Sequence, residues 1–278
     1  MNLDYKEVGV KLAKEIIRML AETKLSGIEQ AAVLMHAKTL LNQDLTIRTP
    51  YGPIKFRIAN QPSMSRAQNL MIKEPETITW IDTFDQNDLF WDVGANIGVF
   101  SLYAANKRIR TLAFEPSSSN YYLLNENIRI NKFDKIVKAY CVALNDKNEI
   151  GVINMLDLVI GGSLHSYESK SNDGQFAHGA LSLSIDQLIE IFSLEIPNHI
   201  KVDVDGLEGS IINGARKTLS SKKVQSVLIE LDTSNDEEMN LVNNVMLSNG
   251  FELESVGDGA ESEAVSQSVK NHIFRKKK

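Results

Sequence analysis

Phe90-Trp91-Asp92-Val93-Gly94-Ala95-Asn96-Ile97-Gly98 is the stretch on which the fold turns. An apolar run that ends at Asp92-Val93 and passes at once into a glycine-rich turn reads as a buried strand feeding a helix. Gly94 and Gly98 would let the backbone turn tightly and approach a ligand, and the next helix would point free amide groups at an anionic group. Asp92 is placed to accept a hydrogen bond from an ammonium, directly or through water. Ala95 and Asn96 complete the candidate turn. A dinucleotide fingerprint wants glycine at the first, third and sixth positions, where this turn has Gly94, Asn96 and Val99. The side chain at Asn96 leaves little space for a pyrophosphate, whereas a smaller sulfonium amino acid fits.

Downstream, Ala113-Phe114-Glu115-Pro116 ends a second strand with a carboxylate 21 residues after Gly94. An acid there can accept both ribose hydroxyls of an adenosyl group, and Pro116 ends the strand. A third strand end, Val142-Ala143-Leu144, falls where the adenine ring would lie, with Ala143 and Leu144 flanking it. Apolar strands then keep alternating with helical stretches, as a doubly wound α/β sheet requires. Five parallel strands are predicted at 89–93, 111–114, 136–142, 200–204 and 227–231, with helices near 97–106, 118–130, 184–193, 207–220 and 236–248. Segments 251–256 and 271–275 add a closing pair of edge strands.

Upstream, residues 5–22 and 27–42 carry apolar positions at helical spacing. They predict an amino-terminal helical extension over 1–44, a surface for the domain or a second copy of the chain. The remaining domain, 45–278, opens with a β-hairpin in 45–60 around Tyr51-Gly52-Pro53, and its core runs over 74–278. An added strand near Gly151 and a polar, glycine-rich loop at 157–180 form an insertion, with His165 as a candidate base.

Asp203 and Asp205, two apart at the end of the fourth strand, are expected on the same side as the cofactor. Asp203 lies closer to the cofactor, while Asp205 and Glu208 are the candidates to orient the acceptor or take its proton. Glu230 and Asp232 end the next strand, so several carboxylates can meet in an oxygen-rich set of the kind magnesium takes. Such acids more often pair with lysines, and no liganding spacing is diagnostic, so no metal ligand is assigned.

Composition bounds the rest. A formal net charge of -6 argues against a nucleic-acid binder, and no apolar stretch approaches the roughly 20 residues of a membrane span. The single cysteine, Cys141, reads as a buried thiol and points to a reducing, cytoplasmic setting.

From about Glu74 to Arg275 the chain resembles the FkbM family of S-adenosylmethionine-dependent methyltransferases. The resemblance is carried by Glu74-Pro75-Glu76-Thr77 with Trp80-Ile81, by Phe90 to Gly98, and by Phe114-Glu115-Pro116. It continues through Ser184-Ile185-Asp186-Gln187-Leu188, Lys201 to Gly209, and Val227-Leu228-Ile229-Glu230-Leu231. It implies a class I methyltransferase fold, Rossmann-like, with a mostly parallel seven-stranded sheet. It also implies methyl transfer to a hydroxyl of a sugar, glycolipid or polyketide. Two positions depart from the family pattern: Asp205 stands where glutamate is usual and Leu207 where histidine is common. A nucleotide-dependent oxidoreductase and a noncatalytic adenosyl-binding protein are the competing readings.

Overall fold

The structure is a computed structural model that describes residues 5–22, 26–40, 44–155, 160–162, 165–168, 176–204, 206–257 and 268–277. The chain divides into two compact units, Met1–Gln43 and Asp44–Lys278. The first holds α1 (Tyr5–Glu22) and α2 (Gly27–Leu40), as the periodicity predicts.

The second unit opens with the antiparallel hairpin of β1 (Asp44–Thr49) and β2 (Gly52–Arg57). Next comes α3 (Gln61–Gln68), which the sequence reading did not include. Its signal was there: Asn60 caps the helix by accepting from the Ser63 amide at 3.0 Å, and Pro62 sits in the first turn, where a missing amide proton costs nothing. Helix α4 (Pro75–Asp82) leads to β3 (Leu89–Val93), α5 (Val99–Asn106), β4 (Arg110–Phe114), α6 (Ser118–Asn131) and β5 (Val137–Tyr140). The insertion supplies β6 (Ala143–Leu144), β7 (Glu149–Met155), β8 (His165–Glu168) and β9 (Phe176–Leu183). The chain then returns through α7 (Ile185–Phe192), β10 (His199–Val202), α8 (Glu208–Asn213), α9 (Arg216–Ser220), β11 (Ser226–Asp232), α10 (Asp236–Ser248), β12 (Phe251–Val256) and β13 (Val269–Lys276).

The main sheet runs β12-β13-β11-β10-β3-β4-β5, with β13 antiparallel to its two neighbours and the other paired strands parallel. This is the Rossmann-like, mostly parallel seven-stranded sheet expected. Strand β3 is buried throughout, which is why it reads as an apolar run interrupted only by Asp92 rather than an alternating one. From β3 the chain winds outward to β4 and β5, then crosses back to β10 on the other side of β3. The order therefore reverses between β3 and β10, and a crevice opens at their carboxyl ends.

Three expectations need correction. The segment read as loop at 157–180 contains strand: β9 pairs along β7 and, with β6 and β8, builds a second sheet in the order β6-β9-β7-β8. Ala177, Gly179 and Ala180 give β9 no alternating signature. The helix expected at 207–220 is two, α8 and α9, parted at Gly214. A side chain at Gly214 would meet the Asn145 carbonyl oxygen at 2.4 Å, so tertiary packing sets the break. Cys141 is exposed rather than buried, because the chain has already left β5 at Tyr140.

At the amino ends of the strands a buried chain of hydrogen bonds ties α4 to the sheet. Trp80 Nε1 donates to Ser226 Oγ at 2.8 Å, and His199 bonds Ser226 Oγ at 2.7 Å and Asp88 Oδ2 at 3.0 Å. Burial holds His199 below its ordinary value, and Phe84 stacks on it at 3.7 Å. The serine, histidine and aspartate resemble a hydrolytic triad only in composition. They are buried at the edge of the sheet opposite the crevice.

Candidate active site

The turn after β3 is fixed from both sides. The amides of Gly94 and Ala95 both donate to the Phe114 carbonyl at 3.0 Å, tying the turn to β4. On the other side the Asp203 amide donates to the Val93 carbonyl at 3.1 Å. Gly94 has φ +82, and a Cβ built there would lie 1.8 Å from the Asp203 carbonyl oxygen. Only glycine allows that approach. Asn96 also adopts a left-handed conformation, φ 50, and its amide donates to Glu115 Oε2 at 2.8 Å. Gly98 caps α5 and faces the side chains of Leu102 and Leu124, so it serves the contact between α5 and α6.

Asp92 faces inward. It is 1% exposed and accepts from Ser101 Oγ at 2.5 Å, and burial raises its carboxyl above the usual range. It anchors the first turn of α5 under the loop and does not line the cleft.

An open cleft lies at the carboxyl ends of β3 and β4, where ligands of open α/β sheets bind. Gly94, Glu115, Pro116, Ala143 and Leu144 line it, which brings half of the ten sequence-predicted cofactor residues to one surface. Val93, Phe114, Ser117, Val142, Ile153, Val204 and Leu207 complete the lining. Ile153 comes from β7, so the insertion forms one wall. Its position in the run Gly151-Val152-Ile153 marked a strand, but nothing local said which sheet face met a ligand.

Glu115 is the polar group of this apolar wall. Its carboxyl accepts from the Asn96 amide at 2.8 Å through one oxygen and from the Ser117 amide at 2.9 Å through the other. Burial nevertheless pushes it up to about 7, against those two amides, Asn120 and the more distant Arg66. Cys141 lies close by, its thiol donating to the Pro116 carbonyl at 3.7 Å.

The insertion is latched to this turn. Asn96 Nδ2 donates to the Gly162 carbonyl at 2.9 Å, the Gly161 amide donates to Asn120 Oδ1 at 2.7 Å, and Arg66 Nε donates to the Gly161 carbonyl at 2.6 Å. Gly161 has φ +80 and sits against α3, where a Cβ would lie 2.9 Å from the Ser63 amide nitrogen. A branched side chain fits neither the space nor the backbone angle. Gly161→Val is therefore expected to open the latch and weaken S-adenosylmethionine binding by a factor on the order of ten. Calorimetric titration checks this, and an unchanged affinity would detach the insertion from the cofactor site.

Among the acceptor-side candidates, Asp205 lies outside the described residues, and His165 lies on β8 with its side chain outside them. Glu208 opens α8 buried, accepting from the Val204 amide at 3.1 Å, and burial raises it to about 8. Asp203 follows the end of β10, paired with buried Lys201 and sharing a hydrogen bond with Glu230. Asp232 instead turns back on its own loop, accepting from the Ser234 amide at 2.9 Å. Among the described residues no group of three or more His, Cys, Asp or Glu side chains is arranged to hold a metal ion.

The Methyltransferase FkbM domain matches residues 92–253, from the last two residues of β3 into β12. The chain belongs to the FkbM methyltransferase family. Over 182 residues it is 25% identical to the hexuronic acid methyltransferase AglP of Haloferax volcanii, a match covering 66% of this chain and 72% of that protein. It is 27% identical over 193 residues to Methyltransferase 1 of Beauveria bassiana, with the same two coverages. Among solved structures, it is similar to the methyltransferase FkbM of Methylobacillus flagellatus at TM-score 0.47 and 18% identity. That match covers 69% of this chain but 44% of the other, so the chain spans less than half of that protein's length. Among the described residues of this FkbM methyltransferase no helix is long and apolar enough to cross a membrane.

Proposed function

We propose that this FkbM methyltransferase transfers a methyl group from S-adenosylmethionine to a hydroxyl of a sugar. The observation that carries the reading is Glu115: a buried carboxylate at the end of β4, held by two backbone amides at the polar margin of an apolar cleft. A carboxylate in that setting suits the two hydroxyls of a ribose. The surrounding Pro116, Val142, Ala143 and Leu144 suit an adenine ring, and the turn at Gly94 to Asn96 suits the amino-acid end. The side chain at Asn96 disfavours the pyrophosphate of a dinucleotide. Similarity to a hexuronic acid methyltransferase supports a sugar as acceptor over a polyketide.

When bound, the cofactor supplies a methyl group on a positively charged sulfur. The chain's residues have three tasks beside it. The apolar walls exclude water, the latched turn fixes the donor, and the residues after β10 orient the acceptor oxygen in line. Asp205, Glu208 and His165 are assigned to that acceptor side on sequence grounds, and Asp203 to the cofactor side.

Calorimetry tests the donor directly. S-adenosylmethionine and S-adenosylhomocysteine are expected to bind in the micromolar range with no comparable heat from NAD. Binding of NAD alone would sink the reading and return the chain to nucleotide-dependent redox chemistry.

A further inference from the structure

On the other face of the sheet from the apolar cleft, β10 carries a buried cation. Lys201 is 1% exposed; its ammonium lies 4.8 Å from the centre of the Phe100 ring and pairs with Asp203. Asp92, its register partner on β3, and Glu74 add negative charge from two sides. Burying an ammonium is costly unless partners compensate it, and these acids do so. Asp203 has a second feature. Its carbonyl oxygen abuts Gly94 of the cofactor turn, and Val204, the next residue, lines the cleft. Its side chain remains 29% exposed, so it is held by a buried cation yet open at the carboxyl end of β10.

Glu230 of β11 shares a hydrogen bond with Asp203. Two touching carboxyls do not both ionise, and the proton rests on Glu230. The charge of Asp203, then burial, raises Glu230 well above its ordinary value, while Lys201 overcomes burial and holds Asp203 below its own. Glu230 therefore donates and Asp203 accepts. Asn271 stands opposite Glu230 in the β11–β13 register and donates to Glu76 at 2.8 Å and Glu74 at 3.3 Å. Its own Oδ1 is buried and has no hydrogen-bond partner among the described residues. The cluster has more acceptors than donors, and a hydroxyl brought to the end of β10 supplies a donor.

We propose that Asp203 takes the proton of the acceptor hydroxyl during methyl transfer, with Lys201 and Glu230 as positioning residues that hold its carboxylate at the carboxyl end of β10. This rests on the methyl-transfer reading above. The acceptor oxygen forms the new carbon–oxygen bond as the carbon–sulfur bond breaks and its electron pair stays on sulfur. The hydroxyl proton, made strongly acidic by that step, passes to an Asp203 oxygen and leaves to solvent after product release. Lys73, Asp92 and Glu208 are the other charged groups facing Asp203, beside Lys201 and Glu230. None of them lies between Lys201 and its carboxylate partner.

The test uses labelled S-adenosylmethionine with methyl glucuronide and methyl glucoside as acceptors, and calorimetry for the cofactor. Asp203→Asn is expected to lower kcat by roughly 10²–10³ while cofactor affinity stays within about threefold. Glu230→Gln, which keeps a donor toward Asp203, should stay within about threefold of the parent, and Glu230→Leu should lose about tenfold or more in kcat. At saturating cofactor, kcat should be flat between about pH 6 and 8, because the Asp203 carboxylate is ionised throughout that range. Near-parental kcat in Asp203→Asn would overturn the assignment. So would a kcat rising roughly tenfold per pH unit toward about 8, which belongs to Glu208 as base. If Asp203→Asn does not fold, the pH profile and the Glu230 pair decide. A chain that binds no cofactor overturns the methyl-transfer reading itself. One that binds cofactor but methylates neither glycoside overturns the sugar acceptor and this assignment together.

Discussion

Gly94→Ala is expected to cost at least ~3 kcal/mol of stability and to weaken S-adenosylmethionine binding more than 100-fold. Two separate effects add. The first is the left-handed backbone, φ +82, which a non-glycine residue adopts at a cost of about 1–2 kcal/mol. The second is the new methyl group, placed 1.8 Å from the Asp203 carbonyl oxygen. Neither strand end can retreat freely, because the Gly94 amide is bonded to Phe114 at 3.0 Å and the Asp203 amide to Val93 at 3.1 Å. Relief of the overlap therefore breaks a sheet hydrogen bond or displaces the turn that shapes the cleft. At about 2–4 °C per kcal/mol, the melting temperature should fall by roughly 6–12 °C. Gly250→Ala is the control. Gly250 has nearly the same backbone angle, φ +79, but a Cβ there meets nothing within 4 Å. It should therefore show the conformational cost alone and leave cofactor binding unchanged. Equal melting shifts for the two variants would mean that the close approach at Gly94 is not what makes glycine necessary.

The same residues explain why so much of this fold can be read from the chain and where reading stops. Strands β3 and β11 are covered on both faces, so Leu89 to Val93 and Val227 to Leu231 are apolar runs broken only by Asp92 and Glu230, without the alternation of a half-exposed strand. The turn at Gly94 announces itself because a backbone constraint is written in a single residue type. Lys201 shows the opposite case. A lysine in a strand reads as an exposed position, and its burial depends on Asp203 two residues later, on Asp92 in β3 and on Glu74 before α4. No local pattern encodes that meeting. Asp92 likewise stands out as an acid at a strand end. Its partner, Ser101, is fixed only when α5 packs back on the sheet. In β9 the exposed Phe176 and Leu181 stand among small residues, and the pairing with β7 crosses a segment of twenty residues. Contacts that span such distances define the wall at Ile153, which is why that wall was missing from a reading that located Glu115 correctly at the end of its strand.

Glu115→Ala is expected to weaken S-adenosylmethionine binding roughly 100-fold or more, and the parent chain should itself bind less tightly in acid. Hydrogen bonds to a charged group contribute about 1.5–3 kcal/mol each, and two ribose hydroxyls would meet this carboxylate. The sign of the pH effect follows from burial. Glu115 lies at about 7 rather than at the ordinary glutamate value, so it is ionised above that pH and neutral below it. The ionised form accepts from both hydroxyls, whereas the neutral form must use one oxygen as a donor. Affinity should therefore hold near pH 8 and fall about tenfold on going to pH 6. Asn96, Ser117 and Asn120 face the carboxyl as donors and do not titrate in this range, while Arg66 stays charged throughout. Cys141, exposed in part but held above its ordinary value by partial desolvation and by Glu115, stays a neutral thiol. Glu115→Gln separates charge from shape. It keeps an acceptor oxygen for the Asn96 or Ser117 amide, so the turn should remain folded, and its cofactor affinity should be weaker than the parent's at pH 8 but independent of pH. Calorimetric titrations of the parent and both variants between pH 6 and 8 check this. A parent affinity that does not change across that interval, or a Glu115→Gln chain that keeps the parent's slope, would remove Glu115 from contact with the ribose.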